Sequence, residues 1–430
     1  MTIRKFTALL CCALALAGCS SFGKGVTKAI IEETKADPDK KTGLCEITGP
    51  GFSGLRDVYD SASAQAPKTI RLLIVHGIGQ HLPGYSARFQ RRLALRLGLT
   101  MVDPVEKDIA LRGEAAAAKK GEALGNLRIA RYTDAGGKEL LTFEVTWSAI
   151  TDAERKVLNF DRLTAAAKTR ATLNGSLKLF MNEGFSDPLS YSGPKGALIR
   201  DSVVQSICWA TSNEWADYPV TGDGHCTWSP KDLGIVARDA FVLSSHSLGS
   251  RITMDALDSL GALAEQKGAA PNATLATFHD KLLHFYMLSN QLPLLQIGRK
   301  PPSVVGLAPQ YCGDGAAKGA NRWFKGVDVV AFSDPNDLFS YEIPVEFANA
   351  NLDSRICAGI TNVAIKVAKE IDLAVSTFAS PEAAHTQYED DERVLDLMAG
   401  GVGGPEGKIP EGCDWLKFPT PEATEARAKP

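Results

Sequence analysis

The sequence predicts an α/β fold, a mainly parallel central sheet with helices on both faces, and two observations carry that expectation. Short apolar runs recur along the chain with helical segments between several of them, which is the pattern of buried parallel strands joined by crossovers. The 430 residues are 44% hydrophobic and 23% charged, enough apolar material to fill one large domain or two ordinary ones.

Ile70 to Val75 (IRLLIV) is the first such run, and it ends at His-Gly. It reads as a buried strand, and Tyr85 to Leu97 follows it with helical spacing and many arginines. Leu140 to Trp147 (LLTFEVTW) is β-branched and aromatic, a second strand. Ile235 to Leu243, Lys281 to Leu288 and Val327 to Phe332 supply three more. The interval from Trp147 to Ile235 is too long for a simple crossover. Within it RLTAAAKTRATL and ALIRDSVVQSICWATSNEWA read as helices, and MNEGFSDPLSYSGPKG reads as loop. Residues from about 150 to 234 are therefore expected as a helical insertion, either a cap over the sheet edge or helices that flank the sheet. The chain contains no internal repeat.

The two ends read differently from the middle. MTIRKFTALLCCALALAGCSSFGKG has cationic Arg4 and Lys5, an apolar stretch from Phe6 to Ala17, then small residues, the three parts of a secretory signal. The apolar stretch is too short for a membrane-spanning helix. Leu16-Ala17-Gly18-Cys19 resembles a bacterial lipobox. That resemblance implies a signal peptide over 1–18 and a lipid on Cys19, and the neutral Ser20 after it implies the outer membrane of a bacterial envelope. Each buried methylene contributes about 0.8 kcal/mol, so several acyl chains would hold the protein on a membrane. Residues 19–68, rich in Lys, Gly, Ser, Pro and Ala, are expected as a tether, 69–400 as the folded domain and 401–430 as a tail.

Charge and cysteine usage narrow the partners. A formal net charge of -3 with no long like-charge block gives no drive toward nucleic acid. Of nine cysteines, Cys11 and Cys12 leave with the signal and Cys19 carries lipid. Cys45, Cys208, Cys226, Cys312, Cys357 and Cys413 remain, an even number that suits disulfides in an exported chain and leaves fifteen pairings open. Buried free thiols are the alternative. The absence of any paired C-x-x-C argues against structural zinc.

Phe241 to Ser250 (FVLSSHSLGS) stands where an apolar strand meets the helical segment SLGSRITMDALDSLGALAEQ. A serine on so sharp a turn exposes its hydroxyl, and the crossing helix requires small residues two positions to either side. Ser247, between Ser245 and Gly249, satisfies this. Ser245 and Ser244 fit it less well. The stretch resembles the nucleophile elbow of α/β-hydrolases, in the S-H-S-L-G form of lipase- and esterase-like members, with Ser245 where the first glycine usually stands. LLIVHGIGQH likewise resembles the strand-end segment whose loop supplies an oxyanion donor in that superfamily. The resemblance implies backbone N–H groups of Ile78 and Leu248 as the oxyanion hole, with Gly77 and Gly79 permitting close approach. His76 is expected to orient that loop. As a dinucleotide fingerprint the same glycines fail, because Leu82 stands in place of the third.

The superfamily's chain order is Ser, then acid, then His. VDVVAF ends in SDPNDLFSYEIP, where N-D-L-F followed by I-P resembles the acid loop of triacylglycerol-lipase-like enzymes, one residue longer here. Asp337 is the expected acid and Asp334 the alternative. Beyond them only His385 remains of seven histidines, in a loop expected to precede an amphipathic helix. GGVGGPEGKIP is not a phosphate loop, since Val402 replaces the first glycine of Walker A and Ile409 its Ser/Thr. The resemblance thus implies a serine hydrolase acting on a hydrophobic ester or acyl lipid through Ser247, His385 and Asp337, with no metal or organic cofactor. Acyl transfer by the same residues, and a non-catalytic envelope lipoprotein on the same fold, are the alternatives. The sequence leaves oligomeric state open.

Overall fold

Side chains of the central strands point alternately to two cores: Leu73 and Val75 join one, Ile70, Leu72 and Ile74 the other. A strand buried on both faces reads as a continuous apolar run, which is why IRLLIV was legible. The computed structural model describes residues 43–416 apart from 61–67, 103–104, 114–120, 159, 172–173, 176–177, 179–180, 183, 230–231, 266–275, 313–320, 374–375 and 404–408. Cys19, residues 1–18 and the tail beyond 416 lie outside the described residues. Among those described, no helix is long and apolar enough to cross a membrane.

The main strands are β1 (Cys45–Thr48), β2 (Thr69–Val75), β3 (Lys107–Arg112), β4 (Ala123–Thr133), β5 (Glu139–Thr146), β6 (Thr221–Gly224), β7 (Ala240–His246), β8 (Leu282–Leu288), β9 (Gly326–Ser333), β10 (Ala358–Ile365) and β11 (Asp414–Leu416). They form a twelve-stranded sheet in the order β11-β1-β10-β9-β8-β7-β2-β5-β4-β3-β6, with Thr100–Met101 beside β4. From β10 across to β5 every neighbouring pair is parallel. The β4 hairpins and β1 add antiparallel margins.

Helices cover both faces. Among them are α1 (Leu55–Tyr59), α2 (Ala87–Arg96), α3 (Asp152–Val157), α4 (Ser186–Ser192), α5 (Gly196–Ser212), α6 (Leu233–Arg238), α7 (Gly249–Glu265), α8 (Leu292–Gln296), α9 (Pro381–Thr386) and α10 (Glu392–Gly400). Apolar residues of α5 and α7 fill one core, those of α1, α2 and α10 the other. Buried Arg71 on β2 fastens α5 to the sheet. Its Nη1 donates to the carbonyls of Ala210 and Asn213 at 2.9 and 2.8 Å, and its Nε meets Asp239 at 2.7 Å. A cation at a helix C-terminus satisfies carbonyls that the helix leaves open.

Several expectations are corrected. Residues 45–59 are not tether, because β1 pairs with β10 and α1 packs in the second core. Residues 401–402 and 414–416 are not tail, because Gly401–Val402 pairs with Phe52–Ser53 and β11 pairs with β1. The six remaining cysteines pair as Cys45–Cys413, Cys208–Cys226 and Cys312–Cys357, the first tying those two ends together. Ile235 and Val236 belong to α6 and the strand starts at Ala240, since buried Asp239, paired with Arg71, separates them. MNEGFSDPLSYSGPKG contains α4 rather than only loop, and the interval 150–234 includes a strand, β6. Within it α5 lies on the sheet beside α7, so this part flanks the sheet.

Candidate active site

Ser247 occupies the turn between β7 and α7 with φ 55, a left-handed conformation that side-chain-bearing residues rarely adopt. Two glycines make the turn possible. A Cβ on Gly77 would stand 2.6 Å from Ser247 Cβ, and one on Gly249 would stand 2.6 Å from the Val75 carbonyl oxygen and 2.8 Å from that of His76. The strand, the loop after β2 and the helix start are therefore packed backbone to backbone around Ser247. Ser244 and Ser245 are buried within β7, and the Ser245 hydroxyl has no hydrogen-bond partner among the described residues.

His385 Nε2 lies 3.0 Å from Ser247 Oγ. Its Nδ1 lies 3.0 Å from both carboxylate oxygens of Asp337. The carboxylate assigns the proton to Nδ1, leaving Nε2 as acceptor of the serine proton. Asp337 is set by its own loop: its N–H donates to Asp334 O at 2.9 Å, and its Oδ1 accepts the Phe339 N–H at 2.9 Å. Burial pushes the Asp337 carboxyl up, but bonds from His385, Phe339 and Ser289 overcome it and hold the group below the usual carboxylate range. His385 sits not in a loop but in the last turn of short α9, which Ser380 caps by accepting the Ala383 N–H.

Asp334 is not brought to His385. Its carboxylate turns the other way, accepting the N–H groups of Val367 and Ala368 at 2.7 and 3.2 Å and that of Asn336 at 2.8 Å. Burial pushes its carboxyl up despite these bonds. Its role is to tie the loop after β9 to the segment after β10.

Two further residues complete the acid and base side. Ser289, directly after β8, also has a positive φ of 52. Its hydroxyl donates to Asp337 Oδ2 at 2.7 Å and lies 2.9 Å from His385 Nδ1. His246 donates from Nε2 to the His385 carbonyl at 2.7 Å. Burial, then the neighbouring His385, lowers His246 to about 3, so it remains a neutral donor. Ser289 was detectable only as a polar residue at a parallel strand's carboxyl end, where ligands and reactive groups gather; serine is too common there to stand out.

On the other side of Ser247, the N–H groups of Ile78 and Leu248 donate to no protein acceptor among the described residues. His76, fully buried and stacked between Trp147 and His81, bonds Gly77 O through Nδ1 at 2.8 Å and accepts the Trp147 N–H at Nε2. Burial lowers it well below its ordinary value, so the ring is neutral. Gly79 N–H donates to Asp187 Oδ2 at 2.7 Å. No sequence pattern marked Asp187, which falls in the stretch read as loop.

A serine hydroxyl within reach of an imidazole, with a carboxylate behind that imidazole, makes an arrangement suited to acyl transfer. No protein-family model matches the chain, and neither a curated protein nor a solved structure matches it.

Proposed function

We propose that this protein is a serine hydrolase of the α/β-hydrolase kind that cleaves carboxylic esters, with acyl lipids or similar hydrophobic esters as substrates. The observation that carries the proposal is the hydrogen-bonded line from Ser247 Oγ through His385 to Asp337. It begins at a serine whose backbone is left-handed.

The mechanism follows from that line. Ser247 Oγ attacks the acyl carbon as His385 Nε2 takes its proton, and the carbonyl electron pair moves onto oxygen. Ile78 and Leu248 N–H groups receive the oxyanion, each such donor supplying about 3 kcal/mol in the transition state. The pair returns, the ester C–O bond breaks, and His385 gives its proton to the departing alcohol. Water, deprotonated by His385, then releases the acid and restores Ser247. Asp337 stays ionised throughout and stabilises the imidazolium.

Attachment of the protein to a bacterial envelope through lipid on Cys19 belongs to the same proposal, and the strand directions support it. Cys45 lies opposite Ile365, at the carboxyl end of β10, the same edge of the sheet that carries Ser247. The chain therefore enters the fold on the side of the site. Apolar side chains stand in solvent there: Leu82, after the oxyanion loop, is 70% exposed, and Leu338, beside Asp337, is 56% exposed. Exposed apolar side chains at a site mouth favour a hydrophobic substrate or surface.

Fluorophosphonate labelling of the detergent-solubilised full chain tests the proposal. One adduct on Ser247 is expected, absent from S247A and from H385A. A folded wild type that takes no label with detergent or lipid present, or an adduct that survives S247A, overturns it.

A further inference from the structure

An oxyanion donor is effective only if it is aimed before the charge develops. The loop bearing Ile78 has little means of aiming itself. Gly79 adopts φ +91 with no atom within 4 Å of where its Cβ would be, so neither side-chain sterics nor packing at that position fixes its backbone. The fixing groups come from elsewhere.

Both peptide units that flank Ile78 are held. In a planar trans peptide the N–H points opposite to the C=O. His76 Nδ1 grips the Gly77 carbonyl at 2.8 Å, which aims the Ile78 N–H away from the His76 ring. Asp187 Oδ2 grips the Gly79 N–H at 2.7 Å, which fixes the following unit. Asp187 is fully buried. Its Oδ1 accepts from Thr151 Oγ1 at 2.8 Å and Arg155 Nη1 at 2.9 Å. Arg155 also donates to the Ser148 carbonyl, and the Ser148 hydroxyl closes the circuit on His81, donating to its carbonyl at 3.0 Å and accepting its N–H at 3.1 Å. Burying an ion pair is costly, and this one terminates on the loop beside Ser247 rather than in either core.

We infer that Asp187 is a positioning residue: by holding Gly79 it fixes the peptide unit after Ile78 and, with His76 holding the unit before it, keeps the Ile78 N–H aimed at the oxyanion, which makes Ser148, Thr151, Arg155 and Asp187 a brace of the site rather than a detachable cover. This rests on the hydrolase reading above. Lifting these residues away would strip Asp187 of the loop contact and expose a buried charge pair. The brace therefore stays in place through turnover.

The test is D187N in the full chain, an isosteric change that leaves one carbonyl oxygen to serve two sets of donors. Hydrolysis of a short p-nitrophenyl ester, affinity for a trifluoromethyl ketone and thermal melting are measured together. A kcat about a hundredfold lower is expected, the loss found for one oxyanion donor, with KM little changed and ketone affinity falling in step with kcat/KM. Wild-type kcat and ketone affinity in D187N overturn the inference, as does a loss confined to KM. If D187N does not fold, R155K, which keeps the charge but not the guanidinium fork, is read in the same way with about a tenfold loss expected. A wild type that hydrolyses no ester and takes no fluorophosphonate defeats the hydrolase reading instead; an active wild type matched by D187N defeats only the brace.

Discussion

The two sides of Ser247 are built by opposite means. On the proposed acid and base side the groups are side chains, three of them delivered by the end of a sheet strand or the turn just after it and the fourth, His385, by a helix beyond the hairpin of Glu370–Leu373 and Ser376–Ala379. His246 closes β7, Ser289 follows β8, Asp337 lies in the turn after β9 and His385 in α9 beyond β10. On the other side the groups proposed as oxyanion donors are backbone N–H groups, and the loop carrying one of them, Ile78, is restrained at Gly79 by Asp187, 108 residues along the chain and paired with Arg155. Side-chain chemistry thus sits where the topology of a parallel sheet puts it, whereas backbone chemistry is oriented by residues that carry none of the reaction themselves.

The comparison is broken most directly by removing the shared centre. S247A and H385A are each expected to lower kcat by about 10⁶, since members of such a unit are not additive; a residual rate within a few-fold of wild type in either variant would mean that another group attacks. Next comes the acid. D337N is expected to cost about 10⁴ in kcat by leaving the wrong His385 tautomer. D334N should leave kcat nearly intact and instead destabilise the fold by about 1–3 kcal/mol, because the Val367 and Ala368 N–H groups lose a charged acceptor. Kinetics and melting of this pair sharpen the division between the two carboxylates; equal kinetic losses would erase it.

The sequence was most legible where local pattern and chemistry coincide. IRLLIV, LLTFEVTW and the FVLSSHSLGS turn each combine an apolar run with a strand-end signal; of the three residues the structure brings into one line, Ser247 and His385 were picked by local pattern and chain order and Asp337 by the resemblance of its loop. The strands at the two margins of the sheet were not read, β1 and β6 because they are four residues each and their polar faces resemble loop; β3, β4 and the inner strand β10 were not read either. Thr69–Val75 ends where expected, but α6 takes the front of a run read as strand, since short apolar stretches do not distinguish the two periods. Asp187 was invisible for a different reason. An aspartate before proline in SDPL reads as a turn or helix-start residue, and only the tertiary structure brings it to Gly79, 108 residues earlier.

Ser289 tests whether the acid and base side needs more than its three named groups. S289A removes one donor from the Asp337 carboxylate and is expected to lower kcat by about tenfold, equivalent to about 1.4 kcal/mol. The carboxyl, now holding one bond fewer, titrates higher. Because a depressed carboxylate functions above its pKa and fails as the pH falls through it, S289A should lose activity at higher pH than wild type. An unchanged acid limb of the kcat profile would reduce Ser289 to packing.

The smallest expected effect concerns the neutral histidines that both sides share. Burial lowers His246 to about 3, and lowers His81 and His76 below their ordinary 6.5 as well. Between those values the unfolded chain binds protons that the fold refuses, so these groups make stability fall as pH drops below 6.5. Asp258 and Glu389, pushed up to about 7 by burial, act in the opposite sense: the fold keeps protons that the unfolded carboxyls release, and stability falls as pH rises toward 7. The slope of wild-type stability therefore mixes both, and the informative quantity is the difference between variants. H246Q keeps an N–H for the His385 carbonyl without a group that titrates. Its Tm should fall less than that of wild type between pH 7 and pH 5. H81Q on the oxyanion side should show the same sign, and its smaller burial calls for a smaller difference. A steeper acid decline in either variant would mean that the ring is charged in the fold, and for His246 that it acts on His385 as a cation rather than as a fixed neutral donor.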